Sequence, residues 1–110
     1  MKKSLVVLAA LSVALFATGA QAGHWKFDIV NKSNAAAVEF RTQENGEWSH
    51  NWIDARIEPG DTFNMDFNHD DGDCSVRTQI QFSDGSSFDA PVDYCKVSTL
   101  NVYNDHLTME

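Results

Sequence analysis

Val76-Arg77-Thr78-Gln79-Ile80-Gln81-Phe82-Ser83-Asp84-Gly85-Ser86-Ser87-Phe88-Asp89-Ala90-Pro91-Val92-Asp93-Tyr94 is the stretch whose reading decides the fold. Val76, Thr78, Ile80 and Phe82 alternate with Arg77, Gln79 and Gln81, and Phe88, Ala90, Val92 and Tyr94 return after the Ser83-Asp84-Gly85-Ser86 turn. A period of two belongs to a strand with one buried face, and Asp-Gly between two such runs marks a hairpin. The same stretch holds a conflict of register. A two-residue loop at Asp84-Gly85 sets Cys74 opposite Cys95, but it also sets Ile80 opposite Asp89 and Phe82 opposite Ser87. A three-residue loop matches Phe82 with Phe88, Ile80 with Ala90 and Val76 with Tyr94, and moves Cys95 to the other face. A slip of one residue flips every side chain, so one end has to yield. Either a bulge near Pro91 reconciles the two, or the strands diverge and a disulfide crosses between sheets.

Outward from this hairpin the alternation continues. Trp25, Phe27 and Ile29 alternate with Lys26 and Asp28, which puts all three apolar side chains in the core. Asn31-Lys32-Ser33-Asn34 has turn chemistry, and Ala36, Val38 and Phe40 then alternate with Ala37, Glu39 and Arg41. Asn45-Gly46 is a strong hairpin signal, because both residues tolerate positive φ. Trp48 to Ile57 is less regular, and Glu58-Pro59-Gly60-Asp61 reads as a type II turn. Phe63, Met65 and Phe67 form another strand, His69 to Asp73 an acidic turn, and Val97 to Tyr103 the last strand, with Asn104 to Glu110 a frayed tail. About seven short strands at roughly 10-residue spacing predict an all-β domain, a small antiparallel β-sandwich of immunoglobulin-like or similar type. A small β-barrel is the alternative. No segment has helical period.

The first 22 residues stand apart from this pattern. Lys2-Lys3, an apolar run from Leu5 to Phe16 and the small-residue site Ala20-Gln21-Ala22 make a secretory signal peptide of bacterial type, cleaved after Ala22. The run is too short for a membrane span, which needs about 20 apolar residues. Residues 23–110 are then one domain, 88 residues long. They keep all 16 acidic residues but only 6 of the 8 basic ones, so the net charge becomes −10. That charge repels nucleic acid and anionic membrane surfaces and attracts a cationic partner, such as a basic exported protein. Periplasmic or secreted localisation follows, with no membrane insertion after cleavage. In that oxidising compartment the two cysteines, Cys74 and Cys95, are expected to form a disulfide.

Several of these features recur together. The Asn31-x-Ser33 turn after an aromatic strand, Trp48 with Asn51-Trp52, Pro59-Gly60, Cys74 opening a strand, Asp84-Gly85, and Val92-Asp93-Tyr94-Cys95 resemble the pattern of a group of small exported proteobacterial proteins without established activity. The resemblance spans nearly the whole mature chain and implies a fold rather than a chemistry. It carries no catalytic residue onto this sequence.

Candidate chemistry is sparse. Asp66, Asn68, Asp70 and Asp73 offer oxygens at nearly alternate positions, as a calcium loop does, but the Gly and Glu positions of an EF-hand are filled by Asp71 and Arg77. A solvated turn is the simpler expectation. Gly23-His24 could chelate Cu(II) at a free terminus, and His50, His69 and His106 are too scattered for a metal motif. No G-x-S-x-G and no free cysteine nucleophile is present, and a sandwich of this size leaves little volume for a buried site of ~300 Å³ or more, so no enzyme and no cofactor is expected. Trp48, His50, Asn51 and Trp52 lie near one hairpin tip and are the candidate binding residues, for a protein partner or a sugar. The plainer alternative is that Trp52 packs under the sheet and Trp48 covers it.

Overall fold

The computed structural model describes residues 25–68 and 72–110 of the chain; the proposed signal peptide, the Gly23-His24 motif, His69 and Asp70 lie outside the described residues. Eight strands are formed among the described residues: β1 (Lys26–Asn31), β2 (Ala37–Glu44), β3 (Glu47–Trp48), β4 (Thr62–Asp66), β5 (Ser75–Phe82), β6 (Ser87–Asp93), β7 (Thr99–Val102) and β8 (Leu107–Met109). They build two four-stranded sheets, ordered β8-β7-β1-β4 and β3-β2-β5-β6, which pack as a sandwich and do not close into a barrel. One pair departs from the antiparallel expectation: β1 and β7 run parallel, with Ile29 beside Leu100. Among the described residues, no helix is long and apolar enough to cross a membrane.

The core lies between the sheets. Phe27, Ile29, Met65, Leu100 and Val102 come from one sheet and Ala37, Phe40, Ile80, Phe82 and Val92 from the other. Ile53, Ile57, Phe67, Tyr94 and Val97 enter from connecting segments. Burying such a side chain contributes about 1.5–3 kcal/mol, so a core this aromatic offsets the small size of the domain. Trp25 is only half-buried, at the margin of this core.

The β5–β6 hairpin resolves its conflict in a way that neither expected register anticipates. Gly85, at φ 89°, closes a three-residue loop of Ser83-Asp84-Gly85: its N–H donates to Phe82 O at 3.0 Å, and the Phe82 N–H donates to Ser86 O at 2.9 Å. Ile80 therefore faces Phe88, Thr78 faces Ala90 and Val76 faces Val92, so the apolar faces agree. No bulge occurs at Pro91, which pairs with Arg77 in an unbroken ladder. The bonds at Phe82–Ser86 and Tyr94–Cys74 fix the hydrogen-bonded pairs at even positions. Pro91, at an odd position on an edge strand, therefore turns its missing N–H away from β5.

The disulfide does not cross between sheets either. The Cys74–Cys95 bond joins the ends of β5 and β6, with Cα atoms 5.1 Å apart. Strand alternation alone would leave Cys95 on the wrong face. The chain turns just after Asp93, whose carbonyl accepts from Val97 N at 3.1 Å and whose Oδ1 accepts from Cys95 N at 3.1 Å, and that turn swings Cys95 beside Cys74.

Three other expectations are corrected. A bulge between Ala37 and Glu39 shifts the phase of β2, so Ala37 joins Phe40 in the core while Val38 is only half-buried. The irregular stretch after Trp48 is a strap rather than a strand, returning to β2 through Trp52 N to Phe40 O at 2.8 Å and the Ala37–Ile57 bridge. The expected frayed tail is strand β8. It pairs with β7, tucks Leu107 against the core, and ends with Glu110 O accepting from Ser98 N at 2.7 Å and Thr99 N at 3.0 Å.

Candidate functional site

The β2–β3 hairpin projects from the strap edge of the sandwich. Asn45 (φ 54°) and Gly46 (φ 80°) make the tight turn that the sequence predicts, setting Glu44 directly opposite Glu47 and Gln43 opposite Trp48. At the foot of this hairpin is a cleft of about 460 Å³. Its walls are Trp25, Trp52, Phe67, Val76 and Tyr94, and its mouth is edged by Glu44, Glu47, Trp48 and Ser49. That volume falls within the range of ligand sites, ~300–1,000 Å³, but it is an open cleft and not the buried site for which the sequence leaves little volume.

The wall residues are fixed by packing. Trp52 lies between His50, with ring centroids 4.4 Å apart, and Phe67, at 4.6 Å, and its indole N–H donates to Thr42 Oγ1 at 3.0 Å. Trp25 stacks on Tyr94 at 5.9 Å, and Tyr94 meets Phe67 edge-on at 5.1 Å. The Tyr94 hydroxyl is buried 2.6 Å from Thr78 Oγ1. Thr78 donates its own hydrogen to Val76 O, which leaves Tyr94 as the donor between the two. Burial pushes the Tyr94 phenol well above its ordinary range, outweighing the help a Thr78 hydroxyl could give the phenolate.

The four candidate binding residues separate into different roles. Trp48 is 37% exposed and stands outside the core cluster. Trp52 is half-buried against that core, and both indoles line the cleft. His50 is exposed and leans on Trp52. Asn51 is a bracket for backbone: its Oδ1 accepts from Phe40 N at 2.9 Å and Ile53 N at 3.2 Å, and its Nδ2 donates to Val38 O at 3.1 Å.

The glutamates at the mouth went unnoticed in the sequence. Like charges directly opposite one another on a hairpin are destabilising. Neither Glu44 nor Glu47 makes an ion pair among the described residues: Arg41 pairs with Glu39, Arg56 with Glu58 and Arg77 with Asp89. The signal was present all the same, because a two-residue Asn-Gly loop dictates that its flanking residues face each other.

Of the calcium candidates, Asp66 Oδ1 accepts from Asn68 N at 2.7 Å, in the manner of a turn-capping carboxylate. Asp73 lines a neighbouring groove with Gln43, Glu44 and Ser75. One cluster with metal-ligand spacing occurs among the described residues, Cys74, Asp93 and Cys95, but its sulfurs are joined in the disulfide and offer no thiolate.

The chain matches no protein-family model, no curated protein and no solved structure.

Proposed function

We propose that this chain is an exported, non-catalytic binding domain that receives a cationic protein partner at the cleft under the β2–β3 hairpin. Its kinship with the small exported proteobacterial proteins it resembles, its signal peptide and its periplasmic or secreted setting belong to the same proposal. The observation that carries it is the coincidence of an aromatic-walled cleft with two carboxylates at its mouth that form no ion pair among the described residues. Aromatic faces and carboxylates both attract cations. A mature charge of −10 adds long-range steering toward a basic protein.

The sugar alternative has less support. Sugar sites combine an aromatic platform with free hydrogen-bonding side chains. Here the Trp52 indole, the Asn51 amide and the Ser49 hydroxyl all serve the fold, the last by donating to His50 O, and the side chains left over, Glu44, Glu47 and Asn45, include two full negative charges that favour a cation over a neutral sugar. Calcium has only Asp66, Asn68 and Asp73 within the described residues, with Asp66 already engaged.

Capture by the immobilised mature domain tests the proposal. A basic exported protein should bind at low salt and be lost near 0.5 M, where the Debye length is about 4 Å. Trp48→Ala should weaken capture and leave the melting temperature almost unchanged, since Trp48 lies outside the core cluster. Capture that persists at high salt, or that Trp48→Ala leaves intact, would count against a cationic partner at this cleft.

A further inference from the structure

We infer that the group this cleft receives is an arginine side chain, presented by a basic segment of the partner and seated between Glu44 and Glu47. The inference rests on the binding function proposed above and names the chemistry of the ligand.

Three observations converge on a guanidinium. The first is the like-charged pair. Glu44 and Glu47 are directly opposed across a two-residue hairpin loop, with Asn45 and Gly46 both at positive φ, so the backbone keeps the two side chains rooted close together. Strand alternation places both glutamates on the same face as Phe40 and Thr42, which is the cleft side. A hairpin optimised only for stability would carry opposite charges here. A site that breaks a local rule without compensation inside the fold points to something outside it.

The second is the lack of an internal counter-ion. All three arginines are engaged elsewhere, and among the described residues no lysine or histidine pairs with either glutamate. The third is the hydrogen-bonding inventory of the wall. The Trp52 indole donates to Thr42, the Tyr94 hydroxyl to Thr78 and the Ser49 hydroxyl to His50 O. Besides the Asn45 amide, what the cleft offers a ligand is aromatic wall and carboxylate oxygens, which suits a flat cation rich in donors. A guanidinium meets carboxylates with two parallel N–H bonds, stacks on aromatic rings and is weakly hydrated, whereas an ammonium is a strongly hydrated point charge.

Short capped peptides test this directly. The mature domain is titrated with acetyl-Gly-Arg-Gly-amide, its lysine analogue and its citrulline analogue, a neutral near-isostere of arginine, while indole N–H resonances are followed by NMR. The arginine peptide should shift the Trp48 and Trp52 signals saturably in the millimolar range, the lysine peptide several-fold more weakly, and the citrulline peptide not at all. Glu47→Gln should lower arginine affinity several-fold and at the same time raise the melting temperature, because it removes the repulsion from Glu44. A glutamate that merely supported the fold would not move these two quantities in opposite senses. The inference is overturned if citrulline binds as well as arginine, if lysine binds better, or if Glu47→Gln leaves arginine affinity unchanged. Salt-sensitive capture of a basic protein without any arginine-peptide shift would sink this inference and leave the binding function standing. Loss of both would remove the function as well.

Discussion

Tyr94 shows how one side chain can serve both the core and the cleft. Its ring meets Trp25, Phe27 and Phe67, and its buried hydroxyl reaches Thr78. Because burial raises the phenol above its ordinary value, the unfolded chain ionises first as pH rises. The native state therefore binds the proton more tightly. Stability from this group is full below about pH 10, the ordinary tyrosine range, and is lost above it. Tyr94→Phe should flatten the fall in melting temperature between pH 9 and 11. Thr78 keeps its bond to Val76 O, so at neutral pH the cost should be about 1 kcal/mol. A variant that loses stability with the parent's pH profile would show that the alkaline limit lies elsewhere. Other polar residues were less legible from sequence. Asn51 reads as a binding candidate beside Trp52, yet it brackets three backbone groups. Asn31, fully buried, ends β1 in the same way: its Nδ2 donates to Ala35 O and Ile57 O, and its Oδ1 accepts from Ser33 N. An asparagine that caps loops and one that meets a ligand look alike until the surrounding carbonyls are placed.

At the scale of elements, period and turn chemistry located most strands, and the errors have a common cause. Alternation assigns faces only while a strand continues. It could not foresee the bulge between Ala37 and Glu39, or the turn after Asp93 that brings Cys95 round to Cys74. Strand β8 was missed because three residues are too few to display a period, and β7 supplies the pairing that makes them a strand. The disulfide pairing itself was legible, since only two cysteines exist. It links residues 21 positions apart, between the open ends of β5 and β6, opposite the Ser83–Gly85 turn. In the chain-entropy account that linkage is worth about 3 kcal/mol, within the usual range of about 2–5 kcal/mol. Cys74→Ser should lower the melting temperature accordingly. It should also loosen the cleft, because Tyr94 sits beside Cys95 and shares its turn. Melting curves of residues 23–110 with and without reductant check the first effect, and the Trp25 indole N–H resonance checks the second. Unchanged melting on reduction would mean that the strand ladder alone holds this end closed.

Over the whole molecule, composition foretold charge and class but not where the charge matters. Residues 23–110 carry −10, and their three arginines each sit in a partly or well exposed ion pair, contributing at most about 1 kcal/mol apiece. Among the described residues, acids outside these pairs and the Asp105–His106 contact repel one another. Folding concentrates that charge, so self-repulsion opposes the native state. Salt screens it: the Debye length falls from about 30 Å at 0.01 M to about 4 Å near 0.5 M. If the repulsion screened amounts to about 1 kcal/mol, the melting temperature should rise by roughly 4–8 °C over that range. Thermal melts of residues 23–110 at graded sodium chloride measure this, and a fall with salt would mean that the native ion pairs outweigh the repulsion. The sign has a consequence for binding. Attraction to a cationic partner weakens with salt by the same screening that stabilises the fold. At 0.5 M the domain should be at its most stable and its partner at its weakest. Loss of capture at high salt then reports on the cleft and its field, since a domain that has gained stability has not released its partner by unfolding.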